Sequence, residues 1–233
     1  MYISNRRTDT SLRIIQAFAK SFLENGYSKT STKKIADEMK LSPGNITFYF
    51  PSKEDILAVV VDDLVDFEYM FMEDTMNGGA DSMFSYALVI STVAALCQIE
   101  PAARDLLLAS YTHQSSIDII RERDTHKVKK IFGKYQPDWT DVQWRATENI
   151  AFGIEYATFV TRDKEVPFEV QVSNSLNTIM FLYGVPAEDR DELLKKISDI
   201  DCRALGKEAF AKFCDYITTT HERNIRHHSR YKN

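Results

Sequence analysis

Glycine, proline and cysteine are scarce in this sequence. Its 233 residues include only 8 Gly, 6 Pro and 3 Cys. Between the few glycines and prolines, apolar residues recur three and four positions apart rather than in alternation, which predicts an all-α fold with no sheet. Cys97, Cys202 and Cys214 are far apart in the chain and form no CxxC pair. Their spacing argues against both a disulfide framework and a zinc site.

Long apolar runs are missing as well. Nowhere does the chain hold the roughly 18 consecutive apolar residues of a membrane-spanning helix. Its first residues, MYISNRRTDTSLRII, contain no apolar core of the kind found in signal peptides. We therefore expect a cytoplasmic protein with no membrane contact.

Recognisable catalytic patterns are also absent. The sequence contains no nucleophile–base motif and no glycine-rich phosphate loop, and His113 and His126 stand outside any E-x-x-H pairing of the di-iron bundle kind. These absences predict a protein that is not an enzyme and that binds neither a metal nor another cofactor. An enzyme built on a helical bundle is the alternative from another functional class.

The sequence does contain a sizeable apolar fraction and an uneven distribution of charge. Hydrophobic residues make up 44% of the chain, and the formal net charge is −5. The first 55 residues nevertheless carry 9 Lys and Arg against 6 Asp and Glu, whereas the remainder carries 20 against 28. A small basic head on an acidic body is expected when only one end of a protein meets phosphate.

Apolar spacing, capping residues and helix breakers together predict eleven helices. The first ends at Gly26, and the third opens at Ser42-Pro43 because Ser caps a helix and Pro fits the first helical position. Pro51 ends the third helix, and Gly78-Gly79 breaks the fourth. The predicted ranges are 9–25, 32–39, 43–50, 52–75, 82–99, 102–110, 115–134, 141–162, 168–184, 188–200 and 204–226.

The second and third helices form a recognisable pair. Both are short, a tight turn at Lys40-Leu41 joins them, and a longer helix precedes them, which is the pattern of a helix-turn-helix. In that motif the second helix of the pair lies in the major groove of DNA. Ile46 and Phe50, four residues apart, are predicted to point into the core. The residues left to face the groove are Pro43, Gly44, Asn45, Thr47, Phe48 and Tyr49.

Residues 9–60 resemble the TetR family of bacterial transcriptional regulators. The segment TSTKKIADEMKLSPGNITFYFPSKEDIL follows the family's order of a Thr-rich helix start, a central Ile-Ala, a turn, a short recognition helix and a closing Tyr-Phe-x-Ser-Lys-Glu. The resemblance implies a helix-turn-helix DNA-binding domain at 1–53 and a helical effector-binding and dimerisation domain at 54–233. It also implies a homodimeric repressor that binds a palindromic double-stranded operator and responds to an unidentified small molecule. Control by a protein partner, or no effector at all, is the alternative.

The resemblance also assigns roles to individual residues. Thr32, Tyr49 and Lys53 match positions that hold DNA phosphates, and Lys33 matches a possible groove contact. Five residues match positions that approach bases, and Ser42, the helix cap, completes the predicted DNA-binding set; the five are Pro43, Gly44, Asn45, Thr47 and Phe48. The alternatives are plain helix caps for Thr32 and Ser42, core aromatics for Phe48 and Tyr49, and a solvated lysine for Lys53.

Two positions depart from the family pattern. Lys40 replaces the usual Gly of the turn, so a positive φ there would strain the backbone by roughly 1 kcal/mol or more. Thr47 replaces the usual first Tyr of the recognition helix, which removes a large groove contact.

The body of the protein is predicted to bind the effector and to pair two chains. It holds 20 of the 27 aromatic residues, which suits an apolar or aromatic effector and suits a packed core equally well. The effector candidates are Phe67, Phe71, Tyr111, Trp144 and Tyr156. Dimerisation is predicted on the helices at 141–162 and 168–184, through Ala146, Ile150, Phe152, Gly153, Ala157, Val160, Leu176, Ile179, Met180 and Tyr183.

The basic tail HERNIRHHSRYKN, residues 221–233, has two interpretations. Its cations suit the negative end of a helix dipole, which predicts a plain helix end. A metal-binding or DNA-binding arm is the alternative.

Overall fold

The computed structural model describes residues 9–75 and 82–230 of the chain. All regular structure in this part of the chain is helical, with eleven α-helices and one 3-10 turn at Gly133–Tyr135. The helices are α1 (Asp9–Asn25), α2 (Thr32–Glu38), α3 (Pro43–Tyr49), α4 (Lys53–Thr75), α5 (Ser82–Ile99), α6 (Pro101–Ser110), α7 (Gln114–Phe132), α8 (Asp141–Val160), α9 (Phe168–Leu182), α10 (Ala187–Ser198) and α11 (Cys202–Arg230).

The all-α prediction is confirmed. Predicted helix boundaries agree with the structure to within two residues, except that α11 continues to Arg230 rather than ending near residue 226. The predicted break at Gly78-Gly79 lies outside the described residues, as do the side chains of the basic tail. No disulfide joins Cys97, Cys202 and Cys214. In the described residues, no helix combines the length and the apolar character needed to cross a membrane.

The chain divides into two compact units. The first contains Met1–Phe67, Pro101–Ile119 and Ala209–Asn233, and the second contains Glu68–Glu100 and Ile120–Glu208. The chain therefore passes from one unit to the other four times, within α4, α7 and α11 and between α5 and α6. The functional boundary predicted between residues 53 and 54 stays a prediction.

The first unit is built around α1. Its apolar stripe is completely buried, because positions three and four apart share one face of a helix; it includes Leu12, Ile15, Phe18 and Phe22. α6 packs against α1, and α2 packs against α3. Farther along α4, the Phe67 ring lies 5.2 Å from that of Phe213 and 5.5 Å from that of Tyr216. Within this unit, α6 is thus packed on α1, and α11 contacts α4.

The second unit is built from α5, α8, α9 and α10, which pack on one another. Its centre is aromatic: the rings of Phe132 and Tyr183 are stacked at 4.5 Å, and Trp144 lies 5.9 Å from Tyr183. Five residues that were predicted to form the dimer interface instead lie buried in this core: Phe152, Leu176, Ile179, Met180 and Tyr183. The prediction was wrong for the four residues on and just after α9 because this helix packs against α5, α8 and α10, and it was wrong for Phe152 because α8 packs against α5 and α9.

Candidate nucleic-acid interface

Backbone hydrogen bonds from the turn between α2 and α3 return to α2. Ser31 caps α2, with its hydroxyl accepting the Lys34 N–H at 3.4 Å, so Thr32 is not the cap. At the other end of α2, the Leu41 N–H donates to the Ala36 carbonyl at 2.9 Å. This type of helix end needs a residue in the left-handed region, and Lys40 adopts a φ of 56°. Lys40 therefore bears the backbone strain that a missing glycine predicts.

α3 begins as its sequence predicts. Ser42 is the N-cap, and its hydroxyl oxygen accepts the Asn45 N–H at 3.2 Å. Pro43 occupies the first helical position, where no N–H is needed. The helix ends at Tyr49, and the Phe50 N–H still donates to the Ile46 carbonyl at 2.9 Å. The predicted capping role of Ser42 is thus confirmed and leaves its hydroxyl partly engaged.

One side of α3 is anchored and the other is open. Ile46 is 1% exposed, whereas Phe48 is 74% exposed. Phe50 is half-buried, so the small core rests mainly on Ile46. The remaining predicted base contacts are all exposed: Pro43, Gly44, Asn45, Thr47 and Phe48. This face of α3 is therefore open to contacts with another molecule.

The Asn45 side chain on α3 keeps its hydrogen-bond donors available. The Asn45 side-chain oxygen accepts a hydrogen bond from the Ser42 hydroxyl, which leaves the amide N–H groups of Asn45 as donors. Thr47 donates to the Gly44 carbonyl at 3.2 Å. Tyr49 is half-buried, and its ring meets that of Phe48 edge-on at 5.2 Å. The core role for Phe48 is therefore excluded, while Tyr49 lies between core and surface.

Three lysines lie on α2 and on the turn that precedes α3. Lys33, Lys34 and Lys40 are all exposed. Lys34 lies 3.9 Å from Glu38 in an exposed pair, and such pairs contribute little. The structure thus places Lys33 at the surface, as its predicted groove role needs, and leaves Thr32 half-buried beside it.

The Lys53 side chain bonds within its own unit instead of extending into solvent. Its ammonium group donates to the carbonyls of Tyr27 at 3.0 Å and Thr30 at 3.3 Å, and it lies 4.0 Å from the centre of the Tyr27 ring. Tyr27 in turn donates to Glu54 at 2.9 Å. Burial, followed by Glu54, raises the pKa of Tyr27, so this hydroxyl stays protonated. The phosphate role of Lys53 stays a prediction, since here its charge is used inside the unit.

Two residues at this end of the molecule escaped sequence reasoning. The Ser28 N–H and hydroxyl both donate to the Asp105 carboxylate, each at 2.7 Å. The two residues are 77 positions apart, so no local pattern connects them. The only local signal was Gly26, which ends α1 and has a φ of +90°.

The effector candidates do not form one group. Phe67 and Tyr111 belong to the first unit, while Phe71, Trp144 and Tyr156 belong to the second. Phe67, Phe71 and Trp144 are buried, and Tyr111 and Tyr156 are half-buried. Their participation in effector binding stays a prediction.

Buried carboxylates in the second unit were also missed. Glu148 and Glu155 are 2% and 5% exposed, and they accept hydrogen bonds from Tyr183 and Tyr86 at 2.5 Å and 2.8 Å. Burial, and then Asp124, raises the pKa of Glu148 to about 7 and raises the pKa of Glu155 well above its ordinary value. Their spacing of seven residues on the same helix face as Trp144 and Ala151 was a signal that sequence reasoning could have used. Within the described residues no cluster of His, Cys, Asp and Glu could hold a metal ion.

Comparison with known proteins supports the resemblance found at the motif. The family model for bacterial regulatory proteins of the tetR family matches residues 14–60. The chain is 34% identical over 80 residues to the fatty acid metabolism regulator protein of Bacillus subtilis (strain 168), covering 34% of this chain and 41% of that protein. It is 30% identical over 105 residues to the HTH-type transcriptional regulator HbdR of Aromatoleum sp. (strain CIB), covering 45% and 44%. The matched segments thus span less than half the length of these curated relatives.

The fold is shared with a solved structure. The crystal structure of Thermus thermophilus FadR, described as a TetR-family transcriptional repressor in complex with lauroyl-CoA, aligns with a TM-score of 0.54 at 16% sequence identity. The alignment covers 74% of this chain and 92% of that one. This likeness supports a common helical architecture.

Proposed function

We propose that the chain is a transcriptional repressor of the TetR family of bacterial regulatory proteins, whose family model matches residues 14–60. It binds a palindromic operator as a homodimer in the cytoplasm, is released by a small-molecule effector, and is not an enzyme. The observation that carries this proposal is α3, where one buried anchor, Ile46, supports five exposed residues on a helix of seven residues. Such a helix has the dimensions and exposure that major-groove readout needs.

The side chains of α3 suit direct readout. Gly44 lets the backbone approach DNA closely, and the Asn45 amide pairs with the edge of an adenine. Thr47 and Phe48 offer methyl and ring surfaces to thymine methyl groups. The exposed Lys33 and Lys40 precede α3 in the chain and add attraction to phosphate, which positions the helix without reading sequence.

An exposed apolar stripe on α8 supports the homodimer. Ile150 is 56% exposed and Val142 is 76% exposed, and they continue through exposed small residues at Ala146, Gly153 and Ala157. α9 packs beside α8 and adds Val170 and Phe181, 47% and 65% exposed. Between the two helices runs a groove of about 410 Å³ lined by Ile150, Gly153, Ile154, Ala157, Val166 and Gln171 among others. Small residues allow helices of two chains to approach closely, so a second copy is the occupant that suits this face.

The effector is proposed to bind in the second unit. This unit contains Phe71, Trp144 and Tyr156 together with the buried Glu148 and Glu155, a mixture of apolar surface and fixed polar groups that is typical of ligand sites. Residues 1–53 would then supply DNA binding, and residues 54–233 would supply effector binding and dimerisation. Lauroyl-CoA, present in the T. thermophilus FadR structure, is a reasonable first probe.

Selection of bound fragments from genomic DNA tests the proposal. The wild-type chain should retain fragments that share an inverted repeat, and the double variant N45A/F48A should lose that preference. Lys20 is an exposed residue of α1 that pairs with Glu24, so K20A serves as the control and should select the same repeat. Recovery of no common sequence by the wild-type protein would refute the proposal.

A further inference from the structure

The segment that joins α1 to α2 is held unusually firmly for a surface turn. Gly26 ends α1 with a φ of +90°, and its N–H donates to the Phe22 carbonyl at 2.9 Å. Thr30 closes the turn, because its N–H donates to the Tyr27 carbonyl at 3.1 Å and its hydroxyl to the Gly26 carbonyl at 2.9 Å. The next residue, Ser31, is the cap of α2. The position of this turn therefore sets where α2 begins.

α4 holds the turn from one side. The Lys53 ammonium donates to two of its carbonyls and lies against the Tyr27 ring. Tyr27, 6% exposed, also donates to Glu54. These contacts tie residues 27–30 to the first turn of α4.

α6 holds the same turn from another side through a single residue. Asp105 accepts the Ser28 N–H on one carboxylate oxygen and the Ser28 hydroxyl on the other, both at 2.7 Å. A Cβ atom added at Gly26 would lie 2.6 Å from Asp105 Oδ2, so the carboxylate also packs directly against the glycine. Bonds that engage both oxygens of a carboxylate fix orientation as well as distance.

The turn is linked in a few bonds to the helix that would meet DNA. α2 packs on α3, and the Leu41 N–H, just before α3, donates back to Ala36 in the middle of α2. Ile35 and Ile46, 3% and 1% exposed, anchor α2 and α3 in the core of this unit. A shift of the turn would displace α2 and, with it, α3.

We infer that Asp105 is a positioning residue for operator binding, which holds the α1–α2 turn so that α3 is presented in its DNA-binding orientation. Asp105 contacts no base or phosphate in this role. The inference rests on the proposed function, because it concerns the affinity of the same DNA-binding surface. Loss of the carboxylate lowers the fraction of molecules in the binding-competent arrangement, and the apparent affinity falls by that fraction.

The test compares D105A with D118A. Asp118 is an exposed residue of α7 in the same unit, where it accepts a hydrogen bond from Gln114 at 2.7 Å. On the operator recovered by genomic selection, D105A should bind about tenfold more weakly than the wild-type protein, and D118A should bind equally well. The slope of affinity against salt concentration should not change in D105A, because no phosphate contact is removed.

Ser28→Ala and hydrogen exchange separate positioning from general destabilisation. S28A removes the hydroxyl donor and keeps the N–H, so its operator affinity should lie between those of the wild-type protein and D105A. The double variant S28A/D105A should bind no more weakly than D105A, since contacting residues are not additive. In D105A, exchange should quicken at the amides of residues 28–35 and stay unchanged in α8 and α9.

The outcomes are distinguishable. Unchanged operator affinity in D105A, or quicker exchange throughout the protein with a matching loss of thermal stability, would overturn the role of Asp105 and leave the proposed function standing. A wild-type protein that selects no operator would refute the proposed function and this inference with it.

Discussion

Lys40 occupies a backbone conformation that favours glycine, with a φ of 56°. K40G should therefore raise the free energy of unfolding by about 1 kcal/mol, since glycine adopts this conformation without the clash of a Cβ atom. K40A is the matched control, because it removes the same charge and keeps the Cβ. Chemical denaturation of both variants measures the effect. Equal stabilities for K40G and K40A would show that the turn stores no strain.

Replacing Asn45 or Lys53 by alanine should change DNA binding in different ways. N45A should relax base preference at one position per half-site, worth about 1–3 kcal/mol, because an amide reads a single base edge. K53A should weaken all sequences alike. Its salt slope should match that of the wild-type protein, because the Lys53 ammonium bonds to the carbonyls of Tyr27 and Thr30.

Affinities measured across a range of salt concentrations check both statements. A flatter slope for K53A would instead support the phosphate contact that the sequence predicts for Lys53. A change of base preference in K53A, with none in N45A, would contradict the assignment of both residues.

Glu148 makes stability depend on pH. Burial, followed by the charge of Asp124, raises the pKa of its carboxyl from 4.5 to about 7. The folded protein therefore holds a proton that the unfolded chain releases between these two values. Its free energy of unfolding should fall as pH rises from about 4.5 to about 7, by a few kcal/mol from this group, and then level off.

E148Q keeps an acceptor for the Tyr183 hydroxyl and cannot ionise. It should therefore flatten part of this pH dependence, and the rest should come from Glu155, Glu68 and Asp124, whose pKa values are raised in the same direction. Urea denaturation at several pH values between 5 and 8 checks the expectation. E188Q, at an exposed position on α10, is the control. Parallel curves for E148Q and the wild-type protein would contradict it.

At the scale of whole helices, α8 offers the clearest test of assembly. Ile150 lies at the centre of its exposed stripe, so I150D should yield monomers with weak operator binding, because it would bury a charge between two chains. A211D is the control, since Ala211 is an exposed apolar residue on another helix. Sedimentation of both variants measures the change. A dimer that survives I150D would place the interface elsewhere.

The helices themselves were predictable, while the use of their faces was not. Ser42 and Pro43 marked the start of α3 because capping is a local effect. α8, however, is apolar on two sides: Trp144 and Phe152 are buried, and Ile150 and Gly153 are exposed. Periodicity cannot say which side meets the protein's own core, so residues of both kinds entered the predicted interface.

In the candidate site, too, local features were predictable from the sequence and tertiary contacts were not. Exposed positions on α3 followed from Ile46 and the helical period, and the structure leaves all of them exposed except Tyr49, which is half-buried. The internal role of Lys53 and the bonds between Ser28 and Asp105 depend on residues distant in the chain. A single sequence carries no signal for such tertiary pairs.

For the whole molecule, charge and architecture point to the same division of labour. A net charge of −5 disfavours DNA binding in general, yet the first 55 residues carry more cations than anions. α3 lies in this segment, so attraction to phosphate is concentrated where base contacts are proposed. The acidic remainder would keep the rest of the protein away from DNA.

Hydroxyl-radical footprinting of the homodimer on its selected operator tests the central claim most directly. Two recognition helices related by a two-fold axis should protect two patches of an inverted repeat, centred about one helical turn or a multiple of it apart. N45A should retain both patches and lose preference at one symmetric base pair in each. A single patch, protection without an inverted repeat, or no protection by the wild-type protein would contradict the account.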